Sequence, residues 1–363
     1  MEKSTKTVEV LNAYKKKLDL FLAEYFETKI VEARKIDPLA VRTIEVLRRF
    51  TLSAGKRVRP ALAYFGYLAA GGKNKEEMIR TSMAIELVHI FLLIHDDIID
   101  RDEKRHGIET VHETYKKWGK ELGLPEAETG HFGNSMAIVV GDAAYLLANE
   151  ILYKAKFKAE IIIATLEKTQ EIAYRTTQGQ MMDVLVGAKG TATEKEIGSI
   201  HENKTARYTF EGPLHLGVTL AGKKADKKLM DVLSAYALPV GRAFQMRDDM
   251  LGIFGEEKKL GKAVGADIIE GKQTLLIVKA IEKSTREQKA QIKKLLGKKD
   301  LSLPELEIFR KIIRDTGSLE YSQNLSEKLV ADALLALEKF QFENMEAKNF
   351  LEGIAKYIIK REV

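Results

Sequence analysis

The 363-residue chain contains no cysteine. That excludes disulfides, thiolate metal ligands and cysteine nucleophiles, and it fits a reducing compartment. Proline is scarce as well: 6 residues, thinly spread, leave long stretches in which nothing interrupts a helix. The N-terminus, Met1-Glu2-Lys3-Ser4-Thr5-Lys6, lacks the apolar centre that a secretion signal needs. The longest apolar stretch reads as residues 90–94, which His95-Asp96-Asp97 close at once, too short to cross a bilayer. A cytoplasmic protein with no transmembrane segment is expected. Strict alternation of apolar and polar residues is also rare, so no segment reads as strand.

What is present favours helices. Apolar residues recur at helical spacing, as in Ile85, Val88 and Leu92 with Met78 and Ser82 before them, and in Leu233, Leu238, Val240 and Phe244. Five breaks are visible: Ala70-Gly71-Gly72, a long connecting loop over 119–133, and shorter interruptions at 187–193, 255–271 and 297–304. None has the length or composition of an interdomain linker. The expectation is one all-α domain over 1–363, a large helical bundle or barrel around a central cavity. The formal charge is +6, but the basic residues are dispersed, as in Lys15-Lys16-Lys17 and Lys223-Lys224. No nucleic-acid motif accompanies them, so a polyphosphate ligand explains the charge better than a nucleic acid.

Two acidic clusters stand about 150 residues apart, each after an apolar helical run: Asp96-Asp97-Ile98-Ile99-Asp100 and Asp248-Asp249. Positions i and i+4 share a helix face, so Asp96 and Asp100 project together. Like charges repel, a helix C-terminus disfavours negative charge further, and burial raises the cost again. A cation is needed, and Mg²⁺ suits a few carboxylates completed by water and phosphate oxygens. One such cluster alone is an ordinary solvated helix end; a pair is a site.

Basic and polar residues supply the complement. Gly55-Lys56-Arg57-Val58-Arg59-Pro60 carries three cations, and Lys56 and Arg59 can face one ligand. His89 lies two helical turns before Asp96, on its face. Arg105 and His106 follow the first cluster, Gln245 precedes the second on its face, and Gln180, Asp183, Lys204 and Thr205 lie between.

In this order, the pieces resemble the trans-isoprenyl diphosphate synthases, the polyprenyl synthetase family. The likeness runs from about Gly55 to Lys272, where Leu260-Gly261-Lys262, Asp267 and Gly271-Lys272 follow the second cluster. The resemblance implies the isoprenoid synthase fold, a homodimer, three Mg²⁺ per active site, and two substrates, isopentenyl diphosphate and an allylic diphosphate. By the same resemblance Asp96, Asp100 and Asp248 ligate metal, with Asp97 and Asp249 nearby. Arg105, Lys204 and Lys262 hold the allylic diphosphate, and Lys272 also binds substrate. Lys56, Arg59 and His89 hold the other diphosphate, while Thr205, Gln180 and Gln245 line the developing cation. His106 stands where the family has a second arginine, and Gly252 replaces the last aspartate of the second motif. Phe91, five residues before Asp96, implies a cavity floor set for a C20 product, geranylgeranyl diphosphate. Farnesyl diphosphate synthesis and a class I terpene cyclase are the alternatives; the cyclase needs no second diphosphate site.

Overall fold

The computed structural model describes residues 2–53, 55–255 and 265–360. Almost every described segment is helical, as the apolar spacing leads one to expect. In chain order these are α1 (Glu2–Ala33), α2 (Pro38–Ser53), α3 (Val58–Ala69), α4 (Lys75–Asp100), α5 (Val111–Glu121), α6 (Glu126–Tyr153), α7 (Ala159–Lys189) and α8 (Glu194–Ile200). A π-helical stretch, His201–Glu211, continues into α9 (Gly212–Leu220) and is followed by α10 (Lys227–Phe254). Then come α11 (Ala266–Glu270), α12 (Leu275–Lys283), α13 (Arg286–Leu295), α14 (Leu303–Asp315), α15 (Ser318–Glu338) and α16 (Met345–Lys360).

Local chemistry sets the ends of the helices that carry the acids. Asn74 caps α4 by accepting from the Glu77 amide, and Glu76 and Glu77 in the first turn complement the dipole. The helix stops at Asp100 because Arg101 takes a left-handed conformation, φ 59°. Asp226 caps α10 through the Leu229 amide. Pro239 sits inside α10 and leaves the Ala235 carbonyl without its helical partner.

The larger core joins the N-terminal half to α10, α15 and α16 around Leu18, Phe65, Phe210 and Tyr236. A smaller core gathers Ile253, Ile277, Phe309 and Ile313. Burying each such side chain contributes roughly 1.5–3 kcal/mol. The last helix is pinned hard: the Phe350 ring stacks on Phe65 at 3.7 Å, and the Tyr236 hydroxyl donates to the Leu351 carbonyl at 2.7 Å.

Three sequence expectations change. Residues 119–133 are not a long loop, because α6 begins at Glu126 and carries Gly130 and Gly133 within it. Gly133 serves packing: a Cβ there would lie 2.5 Å from the His112 carbonyl oxygen of α5. A two-residue hairpin does exist, β1 (Lys104–Arg105) pairing antiparallel with β2 (Ile108–Glu109), and it turns the chain back after α4. Finally, residues 90–94 are not the longest apolar stretch: residues 60–72 run without a charge, and α6 is apolar over a longer span. Its 18-residue window has a mean hydropathy of 1.4 and is 39% buried, which by length and composition would suffice to span a bilayer.

Candidate active site

Both acidic clusters line one cavity of about 1050 Å³, the feature on which their shared role depends. Asp96 and Asp100 enter it from the end of α4, and Asp248 from α10. Burial first, and the Asp96 charge second, push the Asp100 carboxyl up to about 6. Burial likewise pushes Glu270 of α11 up to about 8, with Asp100 and Asp267 adding repulsion. Such a crowd of acids is a site short of positive charge. Among the described residues no three His, Asp or Glu side chains close into a complete metal cage. The acids that face the cavity offer hard carboxylate oxygens, which suit Mg²⁺, a cation that completes its shell with water and substrate phosphates.

Two expected metal neighbours have other partners. Asp97 is fully buried, because i and i+1 positions do not share a helix face. It receives the Arg105 Nε–H, while Arg105 Nη2 donates to Asp102 at 2.9 Å. Burial raises the Asp97 carboxyl to about 7, against the pull of Arg105. Asp97 thus aims Arg105 from the hairpin and does not join the cavity wall. Asp249 lines the cavity but both its oxygens are engaged: Oδ1 accepts from Gln245 Nε2 at 2.8 Å, and Oδ2 lies 3.2 Å from His201 Nε2. Burial disfavours its charge, yet the hydrogen bond from His201 holds the carboxyl below its usual range.

This arrangement orients a polar chain. Gln245 gives its amide hydrogens to Asp249, so its Oε1 must face Thr205, whose hydroxyl donates to it at 2.7 Å. Thr205 spends its one hydrogen there and can turn only lone pairs toward the cavity. Lys204, beside it on the π-helical stretch, donates to Asp183 at 2.6 Å and lies 3.4 Å from Asp96. Burial opposes the Lys204 charge, but Asp96 and Asp183 outweigh it and raise its pKa. Gln180 Nε2 donates to Asp96 at 2.8 Å. Lys272 is held charged chiefly by Asp267, 3.9 Å away.

The three cations of 56–59 divide. Arg57, left-handed at φ 54°, turns inward to Glu86 at 2.6 Å, Asp19 at 2.8 Å and the Thr51 carbonyl at 2.7 Å. Its burial fixes the turn, and Lys56 and Arg59 are left facing the cavity. Arg59 meets His89 Nε2 at 3.1 Å and Thr209 Oγ1 at 2.9 Å. Arginine only donates, so His89 Nε2 accepts. Burial, then the charges of Arg59 and Arg105, hold His89 well below its ordinary value. A neutral ring with Nε2 accepting carries its hydrogen on Nδ1 and gives it to Tyr208, 2.6 Å away. His89 therefore orients Arg59 in this arrangement.

Phe91 also lines the cavity, its ring 4.9 Å from both His95 and Tyr145. His106 is exposed and lines the cavity. Lys262 lies outside the described residues. Gly252 has a spatial explanation: a Cβ there would fall 2.5 Å from the Asp267 carboxylate, which occupies the room an aspartate at 252 would need. Sequence reasoning missed His201, Glu270, Tyr208 and Thr209. His201 and Asp249 are 48 positions apart, and no local pattern pairs them.

Acids on two helices and several cations line one cavity together with apolar side chains, a site suited to a metal-bound polyanion that carries a hydrocarbon. The polyprenyl synthetase family model matches residues 42–313. A geranylgeranyl diphosphate synthase of Methanosarcina mazei is 32% identical over 310 residues, covering 85% of this chain and 87% of that protein. One from Saccharolobus solfataricus is 33% identical over 309 residues, again 85% and 87%. The crystal structure of a Corynebacterium glutamicum geranylgeranyl pyrophosphate synthase, complexed with isoprenyl diphosphate and magnesium, superposes with a TM-score of 0.91 at 30% identity, covering 97% of this chain and 99% of that one. The chain belongs to the polyprenyl synthetase family. It is a Mg²⁺-dependent prenyltransferase that elongates an allylic diphosphate with isopentenyl diphosphate.

Proposed function

We propose that the product is geranylgeranyl diphosphate and that the residues above divide the work as follows. The chain acts as one prenyltransferase domain. Asp96, Asp100 and Asp248 hold Mg²⁺, three ions per site, which when bound neutralise the charge of the leaving diphosphate. Lys204, Arg105 and Lys272 bind the allylic diphosphate, and Lys56 and Arg59 bind that of isopentenyl diphosphate. When the allylic C–O bond breaks, the Thr205 lone pairs face the developing cation as fixed electrostatic stabilisation. The isopentenyl double bond attacks, a C–C bond forms, and the departing diphosphate takes the proton released. The apolar walls exclude water, which would otherwise capture the cation.

The observation that carries this reading is the convergence of both acidic clusters and two separate groups of cations on one cavity. The C20 assignment is supported by Phe91, which lines the cavity and packs its ring against Tyr145 of α6. A homodimer is supported by the apolar residues that α6 and α7 leave exposed, among them Val139, Leu146, Tyr174 and Met181. The test is incubation with Mg²⁺, labelled isopentenyl diphosphate and each allylic diphosphate, then chromatography of the products. Geranylgeranyl diphosphate is expected. Farnesyl or longer diphosphates as the main product would overturn the C20 assignment, and a cyclised hydrocarbon without label would overturn the two-substrate reading.

A further inference from the structure

One side chain in the cavity wall has no role so far. Tyr357 projects from α16 beside Ile354 and Ile358, three residues and one residue away, and all three line the cavity. The Lys56 ammonium donates to the Tyr357 hydroxyl at 2.8 Å. An ammonium has no acceptor, so the phenol oxygen accepts, and its own hydrogen stays available to a ligand oxygen. The ammonium stands 5.3 Å from the ring centroid. That distance is made up almost wholly of the hydroxyl's reach plus the hydrogen bond. The oxygen therefore holds Lys56, and the face of the ring does not.

Lys56 is the long-stemmed partner of the two. It is exposed, on a long flexible stem, in the turn that the buried Arg57 fixes. Tyr357 is half-buried on a helix that Phe350 and Leu351 anchor to the core. A rigid acceptor thus fixes where the Lys56 ammonium stands relative to the Tyr357 hydroxyl. The groups assigned to the allylic diphosphate, Arg105, Lys204 and Lys272, come from the hairpin, the π-helical stretch and the segment after α11. Tyr357 instead meets Lys56.

We propose that Tyr357 is a specificity-determining residue for isopentenyl diphosphate: it holds Lys56 toward that diphosphate and offers its O–H as a further donor. The proposal rests on the reading that Lys56 binds this substrate, and three variants separate the two claims. Tyr357→Phe keeps the ring and removes the oxygen. It should raise KM for isopentenyl diphosphate about tenfold. KM for the allylic diphosphate should stay within about twofold, and Tm should hold within a few degrees. In a Lys56→Gln background the same change should have a markedly smaller effect, because the two side chains act through one contact. An unchanged KM for isopentenyl diphosphate in Tyr357→Phe, or a parallel rise for both substrates, overturns the proposal while a defective Lys56→Gln leaves the site reading standing. A Lys56→Gln enzyme with normal isopentenyl diphosphate kinetics overturns the site reading itself.

Discussion

Replacing Gly179 by alanine tests how tightly the catalytic groups are positioned. Gly179 lies on α7 one residue before Gln180, where α7 presses on the π-helical stretch. A Cβ at 179 would fall 2.4 Å from the Lys204 amide nitrogen and 2.8 Å from Lys204 Cα. These are backbone atoms and cannot swing aside as a side chain can. Ordinary contact begins near 3.4 Å, so the two elements must part by about 1 Å. Lys204 and Thr205 ride on the part that moves. A misplacement of about 1 Å in positioned groups costs on the order of 10²-fold in rate. The overpacking itself costs about 1–3 kcal/mol, offset by roughly 1 kcal/mol of better helix propensity. The loss should therefore fall on kcat far more than on Tm. Gly187, further along α7, is the control, since a Cβ there meets nothing within 4 Å. Gly187→Ala should stabilise the protein by up to about 1 kcal/mol with kcat unchanged. Steady-state kinetics and thermal melts on both variants decide the matter. A Gly179→Ala enzyme with nearly normal kcat would refute the claim that this contact sets the catalytic geometry.

Phe91→Ala should lengthen the product by opening space beside Tyr145; chromatography that shows only C20 would count against Phe91 as the floor. Glu86→Ala strips the closest partner from Arg57, whose side chain is 1% exposed. A buried charge losing its partner costs about 3–5 kcal/mol, and Asp19 and the Thr51 carbonyl, which remain, put the expected loss at the lower end. Denaturant unfolding measures it, and a loss well under 1 kcal/mol would be the contrary result. His89 stays neutral in the fold while the unfolded chain gains a proton as pH drops past 6.5. Its contribution is thus complete above that pH and declines below it, so His89→Gln should flatten the acid-side fall of Tm; an unaltered slope would show that His89 does not contribute.

The readable part of the site was what helical geometry expresses locally. Asp96 and Asp100 share a face by i and i+4 spacing, and Asp97, one position on, departs by the same rule. The identities of Lys56 and Arg59 as outward cations depended on Arg57 turning in, which is decided by Glu86 and Asp19 far away in sequence. Glycine misled where tertiary contact, not chain reversal, required it: Gly133 looked like loop and proved to be the place where α6 meets α5. Pairings such as His201 with Asp249, or Tyr357 with Lys56, leave no periodic trace, since their spacing is set by how whole helices pack.

The π-helical stretch carries a consequence for how the enzyme can change. Such a stretch bonds each amide to the carbonyl five residues back, a wider turn than the α-helix makes, and its rarity shows that it depends on its surroundings. Deleting a single residue within 201–211 would let the segment relax into a regular α-helix, while turning Lys204 and Thr205 out of step with Tyr208 and Thr209. The shortened chain would gain robustness and lose turnover, so durability and catalysis pull this segment in opposite directions.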